Sequence, residues 1–190
     1  MIEQPNPRTD AAKSGAAGKI VLVGFMGTGK STVSKLLAEQ LGWRRIDSDE
    51  EIVHRSGKTI PELFEHGGEQ HFRDMETDTI RALMALDEPA VIATGGGAVL
   101  REGNRAIMLE HAFVVALKAD EEHIISRVGN DSSRPLLQGD AAANVRRLLE
   151  ERRTVYDFAT CIVDTTGLSP EAVCASIMQQ WNVIHTSPLQ

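Results

Sequence analysis

The chain has 190 residues, 42% of them hydrophobic and 25% charged, proportions of one globular domain rather than of a disordered or fibrous chain. Its formal net charge of −7 argues against nucleic acid or an anionic membrane surface as partner, because both repel an acidic protein. Two cysteines, Cys161 and Cys174, are too few for a disulfide framework and fit a reducing cytoplasm as small core residues, and no apolar stretch approaches the roughly 18 residues needed to span a bilayer.

Residues 1–18 carry Pro, Ala, Gly and Ser with Glu3 and Asp10 and no apolar leader run. They read as a flexible tail, not a targeting segment. A single domain is expected over 19–184, with a short tail at 185–190. Ile20 to Val23 is the first buried-strand candidate. Val33, Leu36, Leu37 and Leu41 then follow a helical period that Gly42 can end. Further strands are expected at Trp43 to Asp47, Val91 to Ala93, Phe113 to Leu117 and Cys161 to Val163. Helices are expected near 50–56, 60–65, 68–86, 103–110, 120–128, 140–158 and 169–183. Strands alternating with helices predict a parallel sheet covered on both faces. Ligands of such sheets bind beyond the carboxyl ends of the strands. The turns from Gly24, at Asp47-Ser48-Asp49 and at Gly95-Gly96-Gly97 are therefore expected in one crevice. The polar segment Gly129 to Pro135 reads as a loop placed to act as a lid.

Gly24-Phe25-Met26-Gly27-Thr28-Gly29-Lys30-Ser31 matches the phosphate-binding loop in full, after a strand and opening a helix. Glycines let backbone N–H groups curl around phosphate oxygens, and the helix start adds its positive end. Lys30 is expected on the β- and γ-phosphates and the Ser31 hydroxyl on Mg²⁺. Asp47 and Asp49, taken as alternate residues at a strand end, would point the same way. Beside such a loop one carboxylate can orient Mg²⁺ through water and the other can accept a proton from an attacking hydroxyl. Arg73 and Glu76 share a helix face, which in isolation reads as a solvated ion pair. Arg134, Arg152 and Arg153, each taken alone, read as surface residues, the last two on a helix. The six histidines show no metal-ligand spacing.

Taken together, GFMGTGKST, Asp-Ser-Asp at 47–49, Phe72-Arg73-x-x-Glu76, Gly95-Gly96-Gly97, Arg134-Pro135-Leu136-Leu137 and Arg152-x-x-x-Tyr156 resemble the shikimate kinases, over about Lys19 to Trp181. The resemblance implies a three-layer αβα, P-loop kinase fold with a five-stranded parallel sheet in the order 2-3-1-4-5 and a lid loop. It implies ATP and shikimate as substrates, Mg²⁺ as cofactor, and a cytoplasmic monomer with no membrane or nucleic-acid partner. By the same resemblance, Gly27, Thr28, Gly29, Lys30, Ser31, Thr32, Arg127, Arg134 and Pro170 hold ATP. Asp49, Phe64, Phe72, Arg73, Glu76, Gly95, Gly96, Gly97 and Arg152 form the shikimate site. Lys30, Asp49 and Arg134 are catalytic, and the metal is held by Ser31 and, through water, by Asp47. One departure is Thr154, where family members often carry Pro. It leaves Arg153 open as a substitute for Arg152. A gluconate kinase-like enzyme of the same fold should differ at Arg73, Gly95 to Gly97 and Arg152.

Overall fold

The computed structural model describes residues 18–128 and 141–186. The expected lid loop, with Arg134, lies outside them. So do the expected tails, except for Gly18 and the last two residues of the final helix. Five strands, β1 (Lys19–Gly24), β2 (Arg44–Asp47), β3 (Ala90–Ala93), β4 (Phe113–Lys118) and β5 (Cys161–Asp164), pair in parallel in the order β2-β3-β1-β4-β5. The expected strand order is therefore met.

Alternation within β1 explains the layers. Ile20 and Leu22 face one side of the sheet with Val33 and Leu37 of α1 (Lys30–Leu41) and Val173, Cys174 and Ile177 of α7 (Pro170–Thr186). Val21 and Val23 face the other side with Ile80 of α3 (Ile60–Met84), Met108 of α4 (Glu102–His111), Ile124 of α5 (Glu121–Val128) and Val145 of α6 (Ala141–Glu151). All four β1 side chains are fully buried, so the strand reads as one continuous apolar run. Truncating Ile20 or Leu22 to Ala removes packing worth about 2–5 kcal/mol. Both cysteines are buried in the α1–α7 layer, as expected.

Two helices depart from expectation. The expected breaks at 65–68 reduce to a kink inside α3, where Gly68 holds φ 70° and ψ −179°. The upstream half starts on a capping box, in which Thr59 accepts from the Glu62 N–H and Glu62 accepts from the Thr59 N–H, a reciprocal use of donors a helix start leaves over. The helix expected over 140–158 ends at Glu151. From Arg153 the chain makes successive three-residue turns, with N–H groups of Arg153, Val155, Asp157 and Ala159 donating to carbonyls of Glu150, Arg152, Thr154 and Tyr156. Periodicity missed this because such turns keep nearly the same apolar spacing.

Candidate active site

The phosphate loop leaves β1 at the centre of the sheet and feeds α1. Gly29, at φ 94°, precedes the helix, a conformation that strains any side chain. No side chain caps α1 and its first turn holds no acidic residue. That contrasts with α2 (Ser48–Ser56), capped by Asp47. An uncapped start leaves backbone donors and the positive dipole end facing the loop. Inside the loop the Lys30 ammonium donates to the carbonyls of Gly24 and Phe25, both at 2.9 Å. Thr28 is buried and donates to the Phe25 carbonyl at 2.8 Å.

A cavity of about 310 Å³ opens at this point. Gly27, Gly29, Lys30, Ser31 and Thr32 line it together with Asp47, Asp49, Gly95 and Gly96. The three turns thus converge as the parallel topology predicts. Asp47 and Asp49 reach it by a different route from the expected strand alternation. β2 ends at Asp47, and Asp49 lies in the first turn of α2. Asp47 Oδ1 accepts from the Asp49 N–H at 3.0 Å and the Glu50 N–H at 3.5 Å, and Oδ2 lies 3.4 Å from Arg45. Both oxygens are engaged, which suits a carboxylate that meets a cation through water. Ser31 and Asp47 together offer the oxygen donors a hard dication takes.

The glycine turn after β3 is packed against the remaining site residues. A Cβ on Gly95 would stand 2.5 Å from Asp49 Oδ1, and one on Gly97 would stand 2.5 Å from Arg73 Nη1. A Cβ on Gly96 would meet only ordinary contacts, with the Gly24 carbonyl at 3.6 Å and the Met26 nitrogen at 3.7 Å, and the Gly96 carbonyl accepts from the Tyr156 hydroxyl at 3.1 Å and faces Arg152 Nη1 at 3.5 Å. Asp49, Arg73 and Arg152 are therefore grouped around three consecutive residues.

Arg73 and Glu76 do not form the solvated pair that i,i+3 spacing suggests in isolation. Glu76 is 1% exposed, and its two oxygens accept from Arg73 Nη1 at 2.9 and 3.1 Å. Burial pushes the Glu76 carboxyl up, partly offset by Arg73, with Asp49 adding to the rise. Phe72 is buried and Phe64 half-exposed; their rings stack at 4.7 Å, with the Arg73 guanidinium 5.2 Å from the Phe72 ring centre. Of these four residues Arg73 stands against the glycine turn, and none lines the phosphate cavity.

Arg152 follows α6 in a turn, not on the helix expected there. Its guanidinium lies 5.8 Å from the Phe25 ring centre. Arg153 points outward to Glu150 at 3.8 Å, whereas Arg152 faces the glycine turn.

A second cavity, of about 260 Å³, adjoins the first. It is lined by Thr28, Gly29, Thr32, Arg127 and Pro170, with Thr165, Leu168 and Val173. Arg127 borders both cavities and donates to the Gly27 carbonyl at 3.0 Å. Arg127 and Pro170 thus line one cavity. Thr165 and Leu168 were not anticipated. Thr165 directly follows β5 and donates to the carbonyls of Lys118 and Thr28. The rule that places ligands beyond strand ends could have found it.

Comparison with known proteins agrees with this geometry. The shikimate kinase family model matches residues 26–182. The shikimate kinase of Geobacter sulfurreducens is 46% identical over 159 residues, covering 83% of this chain and 87% of that one. That of Moorella thermoacetica is 43% identical over 162 residues, covering 85% and 93%. The structure of the shikimate kinase from Acinetobacter baumannii in complex with shikimate superposes with a TM-score of 0.81 at 36% identity, covering 92% of this chain and 96% of that one.

Proposed function

We propose, from the premise that this chain belongs to the shikimate kinase family and is an ATP-dependent kinase, that it transfers the γ-phosphoryl group of ATP to the 3-hydroxyl of shikimate, with the work divided among its residues as follows. The observation that carries the reading is the shared cavity of Lys30, Ser31, Asp47, Asp49, Gly95 and Gly96, which sets a phosphate cradle beside a carboxylate and a glycine turn.

In this reading the loop from Gly27 to Thr32 holds the phosphates and Lys30 neutralises charge on the β- and γ-groups. The second cavity takes the base between Arg127 and Pro170. Arg134, which the family resemblance assigns to the phosphates, lies outside the described residues. The required divalent cation is Mg²⁺, held by the Ser31 hydroxyl and, through water, by Asp47; it supplies charge neutralisation on the phosphates. Arg73 and Arg152 hold the shikimate carboxylate, a planar anion that guanidinium forks match. Glu76 fixes Arg73, and Phe64 and Phe72 provide the apolar wall.

Asp49 accepts the proton of the attacking hydroxyl. As the new O–P bond forms, the bond from Pγ to the ADP oxygen breaks and ADP leaves. Little covalent chemistry falls to the protein, so positioning and charge stabilisation dominate. A protein of net charge −7 binding two anions must concentrate its cations locally, and Lys30, Arg73, Arg127 and Arg152 are drawn from four separate segments to do so. The reading includes a single domain over 19–184, a cytoplasmic location and a monomer without nucleic-acid or membrane partners. Among the described residues no helix is long and apolar enough to cross a membrane.

The test is ADP release by purified protein with Mg-ATP and, in parallel, shikimate, quinate or gluconate. Shikimate-dependent ADP is expected. Its absence, or equal turnover of gluconate, would overturn the assignment.

A further inference from the structure

Arg152 carries half of the carboxylate clamp, yet no helix holds it. Its N–H makes the last α-type bond, to Leu148, and the chain then runs through tight turns to Ala159. Each of these turns is closed by one local hydrogen bond, and Thr154 stands where a ring-constrained residue would restrict φ further. The backbone at Arg152 therefore needs an anchor from outside its own segment.

Tyr156 supplies one. Its ring is buried in the core layer with Val145 and Leu148 of α6. Its hydroxyl crosses to the glycine turn and donates to the Gly96 carbonyl at 3.1 Å, a contact between residues 60 apart in sequence. The same carbonyl faces the Arg152 guanidinium. One oxygen atom thus gathers the phenol and the guanidinium, and the turn that carries both is tied to the turn that presents Gly95 to Asp49 and Gly97 to Arg73. Burial pushes the Tyr156 hydroxyl up from its usual range, with Arg152 opposing. It therefore remains a neutral donor throughout the physiological range.

We infer that Tyr156 is a positioning residue for acceptor binding: its bond to the Gly96 carbonyl fixes Arg152 relative to Arg73. This rests on the reading of Arg152 as a carboxylate ligand. Tyr156 touches no reacting atom in this account and acts only through Gly96 and Arg152.

The experiment uses the full chain and three variants, Tyr156→Phe, Arg152→Ala and the double substitution, with KM for shikimate and for ATP, kcat and melting temperature measured for each. Tyr156→Phe keeps the ring in the core and removes the hydroxyl, with its bond to the Gly96 carbonyl and its interaction with Arg152. It is expected to raise the shikimate KM about five- to tenfold, the range one such bond supports. ATP KM and kcat should stay within about twofold. In the Arg152→Ala background the same change should raise shikimate KM by less than about twofold, because residues acting as a unit are not additive.

A wild-type shikimate KM in Tyr156→Phe overturns the inference. So does an equal rise in both KM values, full additivity in the double variant, or a Tyr156→Phe protein too unstable to assay, since the hydroxyl would then serve folding. A wild-type protein without shikimate-dependent turnover overturns instead the functional reading beneath it.

Discussion

Gly97→Ala isolates the placement of Arg73 from every other property of the site. Gly97 has φ −96° and ψ −8°, the bridge region that non-glycine residues adopt in turns, so alanine there meets no positive-φ strain. The added Cβ would lie 2.5 Å from Nη1, 2.7 Å from Nη2 and 2.9 Å from Cζ of Arg73. Carbon contacts settle near 3.5 Å or more, so the guanidinium must move by about 1 Å. It moves at the expense of its bonds to the two oxygens of Glu76, at 2.9 and 3.1 Å, and Glu76, fully buried, cannot follow it into solvent. A binding group misplaced by about 1 Å costs on the order of 100-fold, or about 2.7 kcal/mol. The expected result is a rise in shikimate KM of roughly that size, with ATP KM within about twofold and little change in melting temperature. Steady-state ADP release at varied shikimate and varied ATP measures both constants. An unchanged shikimate KM would show that the acceptor does not depend on where this guanidinium sits, and the carboxylate clamp would have to be sought elsewhere.

Lys30→Ala should lower kcat by about 10²–10³ through loss of a cation at the transferred phosphate; wild-type turnover would remove Lys30 from that role. Arg127→Ala should raise ATP KM several-fold while leaving shikimate KM within about twofold, as expected of a residue at the edge of the base cavity; a matching rise for shikimate would refute the separation of the two cavities. Glu76 gives a pH signature. Its folded pKa is raised by burial, so its contribution to stability is fully present below the unfolded value of 4.5 and is lost as pH rises through the higher folded value. The melting temperature of wild type minus that of Glu76→Gln should therefore fall as pH rises from 4.5 towards neutrality, and a flat difference would refute the burial argument. Chelation of divalent metal should abolish turnover and added Mg²⁺ should restore it; activity persisting in excess chelator would contradict the cation's role.

The features legible in the sequence were those set by local rules. A phosphate loop has a fixed spacing, and Ile20 to Val23 must be buried on both faces, so β1 and α1 fell where expected. The strand order came with the family resemblance, since five short apolar runs admit several orders. Asp49 lies in the expected crevice by another route: strand alternation does not bring it there, because Asp47 stops β2 and caps α2, and the first helical turn delivers Asp49. Arg152 was misplaced onto a helix because tight turns and helices share nearly the same apolar period. The burial of Glu76 and the bond from Tyr156 to Gly96 depend on elements far apart in the chain, and no local pattern encodes such contacts.

The pairing of β1 with β3 has a consequence for distance. Leu22 lies opposite Ala93, and Thr94 donates both its N–H and its hydroxyl to the Leu22 carbonyl. The cradle for the donor begins two residues beyond Leu22 and the glycine turn for the acceptor two residues beyond Ala93. In the proposed division of the site, the hydrogen-bond ladder therefore serves as a ruler between the two substrates, graduated by backbone rather than by side chains. One residue inserted between either strand and its turn would shift one substrate against the other by about 3.3 Å, several times the misplacement that in-line transfer tolerates. Chain length can vary in the helices on either face without touching this scale. Between Leu22 and Lys30, and between Ala93 and Gly97, it cannot.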